Sequence, residues 1–576
     1  MTGFFPAARP PRRSVLAAAG PACQPPRVMP GLKPSLLRWI APLFLLLGLL
    51  TDPLPAQDTP PEIPPAPAER TFDQKIDDAF APYTDAISKV VFFTVWKGEV
   101  AGAKLEVPFV LLWLAGAAVF LTLYFRFINL RAFGLALRTV RGKYSKADDP
   151  GEITHFQALS AAVSGTVGLG NIAGVAIAIS MGGPGAAFWM VVMGLCGMTT
   201  KFAECTLGVK YRHIDKDGKV HGGGMLYLTR GFAERGMGPL GKTLAVFFGI
   251  CCVGASFGGG NMYQINQAAS QLVNVTGGPE TWLGENRWVI GLGVAIFVGL
   301  VIIGGITRIG NLTAKLVPAM TILYLLGCFV VLGTHADKIL PTFGLILSKA
   351  FTGEAAAGGL VGTLLMGVRR AAFSNEAGIG SAPIAHAAAK TRYAASEGLV
   401  ALLEPFVDTV IICTMTALVV IVTGDYMHRG DDGITITSDS FASVVPWFAY
   451  VLSAAVVLFA LSTLITWSYY GLQAWKFLFG KSTKADVAFK LLFCIVIVIG
   501  AAMSPGKVID FSDAMLFSMA FANLIGVYTL LPVVKRELMM FYAFTKRVDG
   551  GESIEVADAH VRSSFPAEEH HHHQAD

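Results

Sequence analysis

Two segments hold the residue types that could do chemistry: Ser164–Gly174 reads SGTVGLGNIAG, and Phe373–Pro383 reads FSNEAGIGSAP. Each sets glycines, small hydroxyls and an asparagine in the middle of a long apolar stretch. Glycine weakens a helix. Backbone that unwinds inside a membrane frees N–H and C=O groups, which must be buried in protein or line a wet cavity. Such groups suit a zwitterion and a cation: a half-helix N-terminus receives a carboxylate, and unwound carbonyls with hydroxyls coordinate sodium. The alternative is close packing, since glycines let membrane helices approach one another. Packing is the better reading of one such segment alone, whereas two matched segments with polar residues favour a site.

Ionisable residues within the apolar stretches are the other candidates, because charge is costly there. Glu204, close in sequence to Lys201 and Lys210, is expected in a structural ion pair at the interface. Arg369 and Arg370 precede the second break and are expected to pair with Glu376, or with Glu404 and Asp408, four apart on the next helix. That set reads as a polar network bracing the break or as a gate. Glu376 also offers a place for a proton, which would allow proton coupling. His386 reads as structural, and the His570–His573 run is given no function. The eight cysteines have no zinc-ligand spacing and read as packing residues. No apolar segment supplies a nucleophile with a base or a metal-ligand set, so catalytic residues are expected to be none. A channel is the remaining rival, its pore lined by the two breaks.

The elements that must position these residues follow from composition. The chain has 576 residues, of which 53% are hydrophobic and 15% charged. A soluble domain carries about 25% charged residues, so this chain cannot cover a water-facing surface. Apolar stretches of about 20 residues, the length of a spanning helix, recur from Val107 onward. Helices are expected near 107–126, 156–181, 186–210, 243–274, 287–306, 312–333, 359–389, 396–423, 439–475, 485–503 and 511–534, about eleven spans in an all-α integral membrane protein. Alternate connections are basic, beginning with Arg126, Arg131, Arg138 and Lys143, and cytoplasmic loops are the basic ones. The N-terminus is therefore expected outside and the C-terminus in the cytoplasm, in the plasma (inner) membrane. No basic stripe with interleaved aromatics suggests nucleic acid.

Residues 1–56 read as a secretory signal or disordered N-terminus, with cleavage after Ala56; an ordinary first membrane helix is the alternative. Residues 57–106 hold a Pro-rich linker and an amphipathic stretch, Phe72 to Trp96, expected at the membrane surface. Residues 107–536 are expected to form a transporter domain, with repeats at 156–333 and 359–534, and 537–576 a cytoplasmic tail. The breaks open the second and the seventh expected helix. An odd number of helices per half requires the halves to have opposite topology.

At these same residues the chain resembles the alanine or glycine:cation (sodium) symporter family. The likeness is carried by SGTVGLGNIAGVAIAISMGGPGAAFWMVVMGLCGMTTKFAE, GGGNMYQINQAA, RRAAFSNEAGIGSAPIAHAAA and DTVIICTMTALVVIVTG, within Val107 to Arg536. The resemblance implies a leucine-transporter-like 5+5 inverted repeat with one extra N-terminal transmembrane helix, and sodium-coupled import of alanine or glycine with no other cofactor. It implies a substrate site of Thr166, Gly168, Gln264, Phe373, Ser374, Asn375, Thr463 and Trp467. The implied sodium site uses carbonyls of Ser164, Val167 and Phe459 and hydroxyls of Ser462 and Thr463. Phe373 and Trp467 would then leave room for little more than a methyl side chain. GGGMLYL, from Gly222, departs from the Gly-Gly-Pro of the family pattern, away from that site.

Overall fold

The structure, a computed structural model, describes residues 72–100, 103–352, 359–427 and 433–565. The expected signal, the Pro-rich linker and the histidine run lie outside the described residues. Among the described residues the chain is almost entirely helical. Helix α1 (Phe72–Val91) leads into a hairpin of β1 (Thr94–Val100) and β2 (Ala103–Pro108), which pair antiparallel with Gly98 opposite Leu105. Then come α2 (Phe109–Tyr124), α3 (His155–Thr166), α4 (Ala173–Gly182), α5 (Gly185–Lys210), α6 (Gly224–Ala233) and α7 (Gly238–Val275). They are followed by α8 (Trp288–Val301), α9 (Gly305–Thr334), α10 (Ala336–Thr352), α11 (Gly359–Asn375) and α12 (Ala394–Thr423). The chain continues with α13 (Gly433–Ala442), α14 (Phe448–Phe479), α15 (Thr483–Ala502), α16 (Pro505–Thr529), α17 (Leu531–Asp549) and α18 (Ile554–Ser564).

Seven of these helices, α5, α7, α9, α12, α14, α15 and α16, are long and apolar enough to cross a membrane, and α3 with α4 makes an eighth if the bent pair is one span. Helices α2 and α8 are apolar but shorter. The apolar stretches differ in what covers them. In α5 and α16, 67% of the most apolar window is buried inside the protein, against 33% in α15. The remainder forms exposed apolar stripes at helical spacing, such as Leu292, Ile296 and Leu300 on α8 and Ile322, Leu326 and Phe329 on α9. In water such stripes would be a liability; in a bilayer they are the lipid-facing surface.

Three of the expected helices are interrupted, the first being 156–181, which is α3 and α4. The 359–389 stretch is helical only to Asn375, and 439–475 is two helices, α13 and α14. The interruption of 359–389 falls in the Phe373–Pro383 break read from the sequence, whereas the one in 439–475 was not anticipated, because its residues stay largely apolar. Two long helices also carry a π-helical turn, Gly258–Met262 in α7 and Phe406–Cys413 in α12, a distortion that often marks a functional position.

Candidate functional site

The first break follows Thr166. The axes of α3 and the Leu169–Gly182 segment differ by 60°, because Val167 (ψ 89°) and Gly168 (φ −137°, ψ −152°) leave helical geometry. The freed groups find partners. The Gly168 N–H donates to Asn171 Oδ1 at 2.9 Å, and the Leu169 N–H to Gln264 Oε1 at 3.0 Å. Gln264 in turn donates to the Gly259 carbonyl at 2.9 Å, inside the π-helical turn of α7. Only glycine fits at 168, since a Cβ there would lie 2.7 Å from Thr463 Oγ1 and 2.8 Å from Gln264 Oε1.

The second break follows Asn375. Glu376 takes a left-handed conformation (φ 56°), as do Gly378 and Gly380 (φ 93° and 85°), so no helix continues. Asn375 Oδ1 accepts the Ala377 N–H at 3.0 Å. The chain re-enters a short helix, Pro383–His386, whose exit pairs with the entry to α3: the Glu152 N–H donates to the Ala388 carbonyl at 2.8 Å and the Lys390 N–H to the Ile153 carbonyl at 2.7 Å. The two broken segments are therefore tied together at one end.

Between the breaks lies a small cavity lined by Gly165, Thr166, Gly170, Gly259, Gln264, Phe373, Glu376 and Leu516. Of the expected substrate residues it brings together Thr166, Gln264 and Phe373. Gly170 lines it, whereas Gly168, two residues earlier, does not. Glu376, expected in a gate or bracing network, is on the wall. Trp467 reaches the cavity only through Glu376, donating from Nε1 to Oε1 at 3.1 Å, and Ser381 donates to the other carboxylate oxygen.

Ser374 and Asn375 face away from the cavity, into a polar cluster built on Asp408. Ser374 Oγ donates to Asp408 Oδ2 at 2.7 Å, Asn171 Nδ2 to Asp408 Oδ1 at 2.6 Å and Thr409 Oγ1 to Asp408 Oδ2 at 2.7 Å. Asn375 donates to Thr409 at 3.0 Å. This cluster joins both breaks to α12. Asn171 sits in the first motif and would have been found by asking which side chain satisfies the freed N–H of Gly168.

The oxygen set expected for sodium is likewise drawn together. Thr463 donates to the Ser164 carbonyl at 3.1 Å, Ser164 Oγ to the Ser462 carbonyl at 2.9 Å, and Ser462 Oγ to the Phe459 carbonyl at 2.9 Å. Val167 is fully buried beside them, and Thr466, one turn on, donates to Ser164 Oγ at 3.1 Å. Hydroxyls and carbonyls alone make a donor set for a hard cation.

The expected arginine partners are corrected. Arg369 Nε and Arg370 Nη2 both donate to Asp513 Oδ2, at 2.7 and 2.6 Å, from the first half of α16. Asp513 escaped notice because it is remote in sequence, though an acid in an apolar helix is itself a signal. Glu404 pairs with Lys201 at 3.0 Å, both fully buried. Glu204 accepts from Asn523 rather than from a lysine, and Lys210 pairs with Glu537. His386 bridges Glu397 (2.6 Å) and Glu404 (3.6 Å), and Glu397 also binds His155.

A buried cavity between two broken helices, with an oxygen-only donor set alongside, is the architecture of a carrier, and comparison with known proteins decides which kind. The profile of the Sodium:alanine symporter family matches residues 92–555. The chain belongs to that family. It is thus a multi-pass membrane protein of a sodium-coupled amino-acid symporter family, a transporter and not an enzyme. It is 40% identical over 443 residues to the sodium/alanine symporter AgcS of Methanococcus maripaludis, covering 76% of this chain and 95% of the relative. It is 34% identical over 420 residues to the probable sodium/glutamine symporter GlnT of Bacillus subtilis, covering 72% and 84%. The putative sodium/proton-dependent alanine carrier protein YrbD of Bacillus subtilis is 31% identical over 423 residues, covering 70% and 84%. The symporter match begins at the hairpin and runs into α18, past both ends of the 107–536 likeness noted from the sequence.

Proposed function

We propose that this symporter imports small neutral amino acids, alanine and glycine, together with sodium by alternating access. The observation that carries the reading is the cavity itself: Thr166 and Gly170 from the first break face Phe373 and Glu376 of α11 and the second break, with Gln264 closing one side. The substrate carboxylate is received near Gly170, which lines the cavity on the turn that leads into the N-terminus of α4. The Phe373 ring limits the side chain to a hydrogen or a methyl. Sodium binds among the Ser164, Val167, Phe459, Ser462 and Thr463 oxygens, which link α3 to α14, so that ion occupancy holds the first broken segment against α14. The substrate named for AgcS supports alanine; glycine follows from cavity size.

In the same reading the chain makes eleven spans. Two inverted five-helix repeats follow one extra helix, with the N-terminus outside, as the basic loops require. Sodium entering down about 100 mV gains about 2.3 kcal/mol per charge, enough for about 50-fold accumulation of a neutral solute before any concentration term. Labelled-alanine uptake into proteoliposomes under an imposed sodium gradient, then under a proton gradient, tests this. Sodium-driven accumulation with saturation by alanine and glycine is expected. Uptake driven by protons alone transfers the coupling to a proton, and the absence of accumulation under either gradient rejects import by symport.

A further inference from the structure

The cavity wall carries one group that the reading above leaves without a task. Glu376 is 4% exposed and lines the cavity. Its carboxylate is held from behind by two neutral donors, Trp467 Nε1 at 3.1 Å and Ser381 Oγ. Among the described residues it makes no ion pair. The cations that approach this region are committed elsewhere: Lys201 to Glu404 at 3.0 Å, Arg370 and Arg369 to Asp513. Its backbone is left-handed at φ 56°, an unfavourable conformation for a residue with a Cβ, so the fold bears a cost to place this side chain here. A buried carboxylate without a counter-charge is strongly disfavoured, and a ligand that brings a positive charge relieves that penalty.

We propose that Glu376 receives the ammonium group of the transported amino acid. This deepens the symporter reading and rests on it. The cavity is then polarised as a zwitterion is. Gly170, on the turn entering α4, and the carboxylate of Glu376 both line the cavity, the first available to the carboxylate and the second to the ammonium. Trp467 and Ser381 leave lone pairs on both oxygens, and an ammonium has three donors to offer. Trp467 thereby acts by fixing the rotamer of Glu376 rather than by touching the substrate side chain. Gly260 lets it stand there, since a Cβ at 260 would meet the Trp467 ring at 2.2 Å. Recognition by charge would favour α-amino acids over the corresponding hydroxy or unsubstituted acids.

Two measurements on the purified full-length chain in proteoliposomes test this. In the first, Glu376→Gln keeps the shape and removes the charge. Its half-saturating alanine concentration is expected to rise by about 30-fold or more while uptake still depends on sodium, and a rise below about threefold overturns the proposal. The second uses the wild type, so it does not depend on the variant folding. A hydrophobic carbodiimide labels Glu376, read by peptide mass spectrometry, and alanine with sodium is expected to slow the labelling whereas lactate with sodium does not. Protection by sodium alone, or equal protection by lactate, overturns the assignment in favour of an ion ligand or a structural carboxylate. If the wild type accumulates no amino acid under a sodium gradient, the symporter reading falls and this proposal with it. Saturable wild-type uptake with unprotected Glu376 sinks the proposal alone.

Discussion

Thr463 donates its hydroxyl to the carbonyl of Ser164 at 3.1 Å, joining α14 to the last turn of α3 beside the first break. Ser164 answers through its own hydroxyl, which donates to the Ser462 carbonyl at 2.9 Å. A cation placed among these oxygens would replace hydrogen bonds with ion contacts without moving either helix far. Thr463→Ala deletes one ligand oxygen and one of the three hydrogen bonds between Ser164 and α14. The half-saturating sodium concentration is expected to rise by about tenfold, or about 1.4 kcal/mol, and alanine binding at fixed sodium should weaken with it, because coupling between two ligands is reciprocal. Alanine uptake titrated with sodium measures both; superimposable curves for variant and wild type would remove Thr463 from the ion site.

Selectivity rests on Phe373. Its ring lines the cavity and meets the edge of Tyr263 at 5.0 Å between centroids. Phe373→Ala should therefore admit larger neutral side chains, raising glutamine uptake relative to alanine, at a stability cost of about 3 kcal/mol. Trp467→Ala acts differently: it releases Glu376 and should weaken all substrates together. Competition of labelled alanine uptake by a series of neutral amino acids separates the two patterns. An unaltered series for Phe373→Ala would show that the ring is not the limit.

The breaks were legible because glycine, hydroxyl and asparagine clusters contradict an apolar helix locally, and a local contradiction is visible in one sequence. Thr166, Gln264 and Phe373 line one cavity, and the Ser164–Thr463 oxygens are joined by hydrogen bonds. Which way Ser374 and Asn375 turn was not legible, since that depends on Asp408 presenting its carboxylate from α12. Arg369 and Arg370 were matched to acids near in sequence, yet Asp513 is 144 and 143 residues away. Charge type is readable from sequence, whereas pairing at that range is a property of helix packing. The interruption between α13 and α14 was hidden for a simpler reason: Val444 and Val445 continue the hydrophobic signal through it.

Asp513 is fully buried and accepts from both arginines. Asp513→Ala leaves Arg370, itself buried, without its anion, and should destabilise the protein by about 3–5 kcal/mol. Replacing Asp513 and Arg370 together by leucine should cost less, because the buried guanidinium goes with its anion and only Arg369, which is partly exposed, loses a partner. Thermal unfolding in detergent, followed by intrinsic fluorescence, ranks the variants; equal losses for the single and double changes would deny the pair its role.

Outside the membrane-spanning segments, Asp549 fastens the end of α17. It accepts from Lys143 Nζ at 2.9 Å, from Tyr144 Oη at 3.0 Å and from Arg138 Nη1 at 3.1 Å. The Lys143 contact, ahead of those with Tyr144 and Arg138, holds its carboxyl below the usual carboxylate range, while burial, then Asp549, pushes the Tyr144 hydroxyl up to about 12. A depressed carboxyl stabilises the fold above its unfolded pKa of about 3.9, and that contribution is lost as pH falls through the lower folded value. Hydrogen exchange at the end of α17 should therefore be protected near pH 7 and lose part of that protection near pH 3, after correction for the intrinsic rate. Asp549→Asn should show the low-pH level of protection at both.

Arg212 closes the same end of the molecule as the paired loops. Its Nη1 donates to the carbonyls of Ala387 and Ala389 at 2.8 and 2.6 Å, and its Nη2 to those of Pro150 and Thr391 at 2.7 and 2.9 Å. One guanidinium thus clasps the strand entering α3 and the strand leaving the second broken segment, beside the Ile153–Ala389 bridge. Under the alternating access proposed above, these strands would have to part when this side opens, and the clasp would then set how readily they do. A lysine offers a point charge and cannot span four carbonyls. Arg212→Lys is expected to speed exchange of the Glu152 and Lys390 amides by about tenfold and to lower the maximal uptake rate with little change in half-saturating alanine, because the cavity is untouched. Amide exchange by mass spectrometry and uptake kinetics read the two effects. Faster transport with unchanged exchange would mean that the strands are held by their own backbone bonds and that Arg212 does not govern their parting.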